Sequence, residues 1–295
     1  MRVCVGVPIY KPSLDESEIK ALRQLFSVLD QRRIVFLTFK ELDVAFYSFE
    51  FSQGEYAFFD RAFFSSMDGY NRLLLSRDFY LRFQDFDYLL IYQTDAWVFR
   101  DELDQWCHRG YDYIGAPWFD SPDPAVSVEM NQVGNGGFSL RRVASVLRWF
   151  LVNDRIEALS RLVRDQGGWK TSLHFRATIG VLASRKGDFD IVDRLFQGRV
   201  SVFEDLFWSG GTWEEYKDSI KELKLLYLLF LPWLFWTLRK PSARKASRFA
   251  FEVQPRYLYA LNRQRLPFGC HAWAKWQPDF WKDFIPVPAT SPAAL

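Results

Sequence analysis

In the first half of the chain, short β-rich runs alternate with amphipathic segments: RVCVGVPIY, SEIKALRQLFSVL, RIVFLTF, and later YNRLLLSRDFYLRF followed by YLLIY. Strand, helix, strand and helix in that order need crossover connections. The pattern therefore predicts an α/β fold with a mostly parallel, Rossmann-like central sheet flanked by helices. Ligands of such sheets bind beyond the carboxyl ends of the strands, where loops replace the ladder. VPIYKP after the first strand and QTDAW after the later one are such ends. At 295 residues and 49% hydrophobic, the chain can bury a large core.

A formal net charge of +2 is too small to attract a polyanion, and no nucleic-acid-binding signature compensates for it, so nucleic acid is not an expected partner. Cys4, Cys107 and Cys270 are odd in number, widely spaced and set among apolar or aromatic residues. They predict free thiols in a reducing compartment, not a disulfide framework or a zinc site. The start, MRVCVGVPIY, enters a strand at once without the apolar core of a signal peptide, and the expected location is cytoplasmic.

The run LLIYQTDAWVF stops being apolar at Gln93, Thr94 and Asp95. A carboxylate at the end of a buried strand needs a partner, because an unpaired charge stripped of water costs several kcal/mol or more. Asp95 suits a hard divalent cation completed by phosphate oxygens, and it equally suits a turn or helix cap. Three further stretches have the same two-sided character. In VGNGGFSLRR, Gly134, Gly136 and Gly137 allow a tight path that frees backbone N–H groups for a ligand, or simply a turn. In SVFEDLFW, Glu204 and Asp205 could serve as a general base in an apolar setting or as acids at a helix start. In PFGCHAW, His271 could complete a metal site or be structural.

From DSPDPAVSVEMNQVGNGG onward the chain reads as a loop and then a strand-to-helix passage, a first boundary between two halves. The second half reads as helical and aromatic, with Trp169, Trp208, Trp213, Trp273 and Trp276 near its loops, as core or as sugar-stacking platforms. Leu225 to Leu238 is almost wholly apolar, too short to span a bilayer and interrupted by Pro232. Arg239, Lys240, Arg244, Lys245 and Arg248 follow. A buried core helix with a solvated basic tail and an interfacial helix on an anionic leaflet, inserting Leu229, Phe230 and Trp233 with Arg239 and Lys240 on headgroups, both fit.

The order of strand-end Asp, glycine loop, Glu-Asp pair and late His resembles that of the GT-A glycosyltransferases. IYQTDAW, YDYIGAPW, GNGGFSLR, FEDLFW, ASRFAFE and PFGCHAW are more closely similar to a glycosyltransferase-like domain family catalogued as of unknown function, found in bacterial polysaccharide clusters and in fungi. The resemblance runs from VGVPIY to PFGCHAW, with Leu225 to Leu238 as an insertion. It implies one continuous GT-A type domain: residues 1–120 as the donor-binding half, 121–295 as the acceptor and catalytic half, and an apolar and basic helical insertion at about 220–248.

By position, the resemblance makes Asp95 the last acid of the metal motif, with Gln93 where many such enzymes carry the first, and His271 the second metal ligand, for Mn²⁺ or Mg²⁺. Val7, Pro8, Tyr10, Asn71, Arg72, Gln93, Thr94 and Asp95 are the implied donor contacts. Asn135, Gly136 and Gly137, with Trp208, would face the donor sugar and acceptor, and Asp205, paired with Glu204, would be the base of an inverting transfer. The implied reaction moves a hexose, galactose or glucose, from a uridine diphosphate sugar to a bacterial surface glycan such as O-antigen or capsule, carried on lipid at the inner membrane face. The alternatives are a non-catalytic glycan- or partner-binding module on the same fold and a glycoside hydrolase, which would need two carboxylates flanking one bond.

Overall fold

The computed structural model describes residues 1–150 and 238–286. The strands of the first half are β1 (Val3–Pro8), β2 (Arg33–Thr38), β3 (Glu55–Phe58), β4 (Tyr88–Tyr92) and β5 (Trp97–Val98). They are followed by β6 (Tyr113–Ile114), β7 (Pro117–Phe119), β8 (Met130–Val133), β9 (Phe138–Arg142), β10 (Ala250–Phe251) and β11 (Gly269–Cys270). The central sheet has six strands in the order β3-β2-β1-β4-β9-β6. The first four are parallel, and β9 runs antiparallel to both β4 and β6, so the expected mostly parallel sheet is present. Strands from both sides of position 121 thus share one sheet.

The innermost strands β1 and β4 are buried along their whole length, because helices cover both faces of the sheet, and this is why they read as unbroken apolar runs. Alternation still sorts their side chains. Val3, Val5, Val7, Leu90 and Tyr92 pack on one face with Leu22 and Leu25. Cys4, Leu89 and Ile91 pack on the other with Leu73 and Phe79.

Helices α1 (Glu16–Val28), α2 (Ala45–Glu50), α3 (Met67–Leu74), α4 (Arg77–Leu81) and α5 (Leu103–His108) occupy the connections. α1 starts at a capping box, in which Asp15 accepts the Glu18 N–H and Glu18 reaches back to the Asp15 N–H. The segment YNRLLLSRDFYLRF, read from sequence as one helix, is two. Ser76 turns its hydroxyl oxygen to the Phe79 N–H and caps α4, in competition with continuation of α3. The strand-to-helix passage after the glycine loop is present, since β9 leads directly into helix over 143–150.

A second sheet, in the order β10-β11-β5, lies against this scaffold, with β10 and β11 parallel and β5 antiparallel to β11. Its strands are only two residues long, and aromatic packing supplies the floor beneath them. Phe138 of the large sheet meets Phe249 and Phe268 at ring separations of 5.3 and 5.4 Å. Trp273 is buried edge-on against Trp97 and is therefore core, not an open stacking platform.

Phe150 and Leu238 contribute to one apolar cluster. Asp112 bonds to a residue near each of them. Its carboxylate accepts the Ser145 hydroxyl at 2.5 Å and the Arg239 N–H at 2.7 Å, and its own N–H donates to the Arg239 carbonyl. The Arg239 guanidinium lies over the Tyr111 ring. Leu229, Phe230 and Trp233 fall outside the described residues. Among the described residues no helix is long and apolar enough to cross a membrane. The three cysteines are free and buried, as expected, and burial pushes the Cys4 and Cys107 thiols up to about 12.

Candidate functional site

After β1 the chain builds β2 and β3 on one side and then crosses to place β4 on the other. The order reverses between β1 and β4, and a crevice opens beyond the carboxyl ends of two such strands. Val7 and Pro8 end β1 and are buried, whereas Tyr10 just beyond is 61% exposed. Gln93, Thr94 and Asp95 follow β4 directly.

The partner of Asp95 is His271. In the small sheet, β10 and β11 run in parallel, so Glu252 and His271 emerge side by side at their ends. β5 runs the other way, which brings the residues preceding it, Asp95 among them, to the same end. The imidazole Nδ1 lies 2.9 Å from Glu252 Oε2, while Nε2 lies 3.1 Å from Asp95 Oδ1 and 3.0 Å from Gln93 Oε1. Glu252 and His271 are nearly buried, whereas the Asp95 side chain is 47% exposed.

Burial works against a charged imidazole here. The Glu252 charge and hydrogen bonds to Asp95 and Glu252 outweigh it and lift His271 from 6.5 to about 10. For Asp95, burial would raise the carboxyl, and the hydrogen bond and charge of His271 more than reverse it, holding the group below its ordinary 3.8. As metal-free groups they form an imidazolium clasped by two carboxylates.

The glycine loop closes the other side. Gln93 N–H donates to the Gly137 carbonyl at 2.9 Å, and Gly137 N–H donates to Asn135 Oδ1 at 3.2 Å. A β-carbon on Gly137 would lie 2.1 Å from His271 Nε2, and one on Gly115 would lie 2.3 Å from the Asn135 carbonyl oxygen. Both positions must be bare for the loop to reach the imidazole.

Thr94 ties the strand end to α1. Its hydroxyl donates to Glu18 Oε1 at 2.7 Å, and Glu18 Oε2 pairs with Lys11 Nζ at 2.5 Å and accepts the Asp15 N–H. One mostly buried carboxylate thus joins the loops after β1 and β4 to a helix start.

Among the described residues no three His, Cys, Asp or Glu side chains gather as a cation cage. The group at the crevice is an imidazole nitrogen, a carboxylate oxygen and a carboxamide oxygen, with the bare Gly137 packed against the nitrogen. This donor set suits Mn²⁺ or Mg²⁺ with its remaining positions filled by phosphate oxygens and water.

Residues 53–271 match the model of a family described as a protein of unknown function, DUF5672. The chain belongs to the DUF5672 family. The match reaches from ahead of β3 to His271 itself and so includes every member of the imidazole cluster. No curated protein matches. Among solved structures, the galactosyltransferase LgtC in complex with donor and acceptor sugar analogs overlaps 98% of each chain at 10% identity and a TM-score of 0.44. The mannosyltransferase Ktr4p from S. cerevisiae in complex with GDP overlaps 77% of this chain and 62% of its own at 10% identity, TM-score 0.34. The glycosyltransferase GlyE of Streptococcus pneumoniae TIGR4 overlaps 97% of this chain and 60% of its own at 14% identity, TM-score 0.37. The chain spans less than two thirds of both Ktr4p and GlyE.

Of the residues singled out from sequence, this DUF5672 chain brings together Gln93, Asp95, Gly137 and His271, with Thr94 and Asn135 bound to them or behind them. Asn71 is buried within α3 and Arg72 is exposed on it. Glu204, Asp205 and Trp208 lie outside the described residues. Sequence reasoning missed Glu252 and Glu18. The signal for Glu252 was present in RFAFE, a short apolar run that ends on an acid just as LLIYQTD does.

Proposed function

We propose that the protein is a GT-A type glycosyltransferase that moves a hexose from a nucleoside diphosphate sugar, with uridine as the base and galactose or glucose as the sugar, to a glycan acceptor. The observation that carries this reading is the convergence of Gln93, Asp95 and His271 beside Gly137, at the carboxyl end of β4 and next to the reversal of strand order. An oxygen-rich, half-open group at that point suits a diphosphate held through a cation.

Gln93, Asp95 and His271 would hold Mn²⁺ or Mg²⁺, which when bound supplies positive charge opposite a departing diphosphate. The exposed Tyr10 ring offers a face for the base, and the backbone at Val7 and Pro8 lines the ribose side. Asn71 and Arg72 complete the donor side. Asn135, Gly136 and Gly137 border the donor sugar, with Trp208 towards the acceptor. Asp205, beside Glu204, accepts the proton of the attacking hydroxyl in an inverting transfer. In this reading residues 1–120 serve the donor and 121–295 the acceptor, a bacterial surface glycan such as O-antigen or capsule on a lipid carrier. Leu229, Phe230 and Trp233, with Arg239 and Lys240, would rest on the inner face of the cytoplasmic membrane.

A second reading, a non-catalytic glycan- or partner-binding module, is favoured by Gln93 standing where the first metal-motif acid is expected. Hydrolysis finds less support, since Asp95 and Glu252 both turn towards one imidazole instead of flanking an open bond.

The test is thermal denaturation against nucleoside diphosphates and their sugars, with and without Mn²⁺, on the wild type and on Asp95→Ala. The transferase reading expects a shift of several degrees with one nucleotide, dependent on metal and lost in the variant. No shift with any nucleotide would leave the binding module as the better reading.

A further inference from the structure

Glu252 is a mostly buried carboxylate, and its Oε2 lies 2.9 Å from His271 Nδ1. It leaves β10 beside β11, so backbone pairing of Phe251 with Cys270 sets its distance from the imidazole. The far nitrogen, Nε2, is the one that reaches Asp95 and Gln93 and lies against Gly137. A ring with two chemically similar nitrogens can present either as a donor of electrons, and which one is available depends on what holds the other.

We infer that Glu252 is the positioning residue of this site: by holding the Nδ1–H of His271 it fixes the ring and dedicates Nε2 to a divalent cation shared with Asp95 and Gln93. The inference rests on the reading of that group as a cation site. With a cation in place Nε2 would carry no proton, that proton having gone to solvent, and the Nδ1–H would stay on Glu252. The carboxylate also raises the basicity of the ring, as the outer partners of metal-bound histidines do. Glu252 thereby touches neither substrate nor cation and acts only through the imidazole.

The experiment uses the full chain, with wild type, Glu252→Ala and Glu252→Gln compared by two readouts. The first is the low-field proton resonance of the His271 Nδ1–H in the metal-free protein. The second is Mn²⁺ affinity, measured as loss of the free Mn²⁺ paramagnetic resonance signal, with circular dichroism as the control for folding. The expected result is loss of the Nδ1–H resonance and a 10- to 100-fold weaker Mn²⁺ affinity in Glu252→Ala. Glu252→Gln, whose amide oxygen can still accept the Nδ1–H, should fall between the two, and it carries the test if the alanine variant does not fold.

Equal Mn²⁺ affinity in wild type and a folded variant would overturn the inference while leaving the cation site in place. A wild type that takes up no Mn²⁺ would overturn the cation reading itself, and the inference with it. The two failures are distinguished by the wild-type titration alone.

Discussion

Gly137 and His271 meet so closely that a single methyl group at position 137 would lie 2.1 Å from the imidazole Nε2. The glycine carbonyl also accepts the Gln93 N–H, so the loop cannot retreat without breaking its bond to the end of β4. Gly137→Ala should therefore lower unfolding stability by about 1–3 kcal/mol through overpacking and abolish any metal-dependent nucleotide stabilisation. Urea unfolding checks the first effect and thermal shift the second. An alanine variant with wild-type values in both would mean that the loop has room to move.

The imidazolium clasp should make stability depend on pH in a defined direction. His271 has its folded value raised from 6.5 to about 10, so its contribution is fully present below 6.5 and is lost as the pH rises through about 10. Asp95 has its value lowered, so its contribution is present above 3.8 and is lost as the pH falls through the folded value. Metal-free protein should thus hold a plateau from about pH 4 to 6.5 and lose on the order of a few kcal/mol towards alkaline pH. Urea midpoints across this range, compared with those of His271→Gln, read the effect. Parallel curves for the two proteins would sink it.

Glu18 should be more costly to remove than a surface acid. It bonds Thr94, pairs with Lys11 and closes the α1 capping box while only 8% exposed. Glu18→Ala is expected to destabilise by about 2–3 kcal/mol, whereas Thr94→Val, which removes one of these bonds, should cost about 1 kcal/mol. In a double-mutant cycle the two should be less than additive. Full additivity would mean that the hydroxyl contact contributes nothing.

Asp112 is buried and accepts hydrogen bonds from two separate parts of the chain. Asp112→Ala leaves the Arg239 N–H and the Ser145 hydroxyl without that acceptor and should cost about 2–4 kcal/mol. Asp112→Asn retains one acceptor oxygen and should cost less. Chemical denaturation of the three proteins gives the ranking, and equal costs for alanine and asparagine would contradict it.

The parallel sheet was legible because β1, β2 and β4 are buried on both faces and so carry dense apolar runs. The strand-end position of Asp95 was legible from the same contrast. What was not legible is contact at long range. Nothing local says that Glu252 and Asp95 approach His271 from opposite sides, because strand pairing in the small sheet decides it. The break at Ser76 was missed because its cap competes with a helical period that continues through it. Glu18 escaped notice because a helix-start acid ordinarily faces solvent, and only the third dimension brings Thr94 to it.

The carboxylate of Asp112 couples two positions that lie far apart in the sequence, the Ser145 hydroxyl and the Arg239 N–H. A disturbance at either anchor is therefore felt at the other through one side chain. Loss of that single acceptor should loosen the start of the helix after β9 and the chain ahead of β10 together, so amide hydrogen exchange at the two places should rise in step in Asp112→Ala.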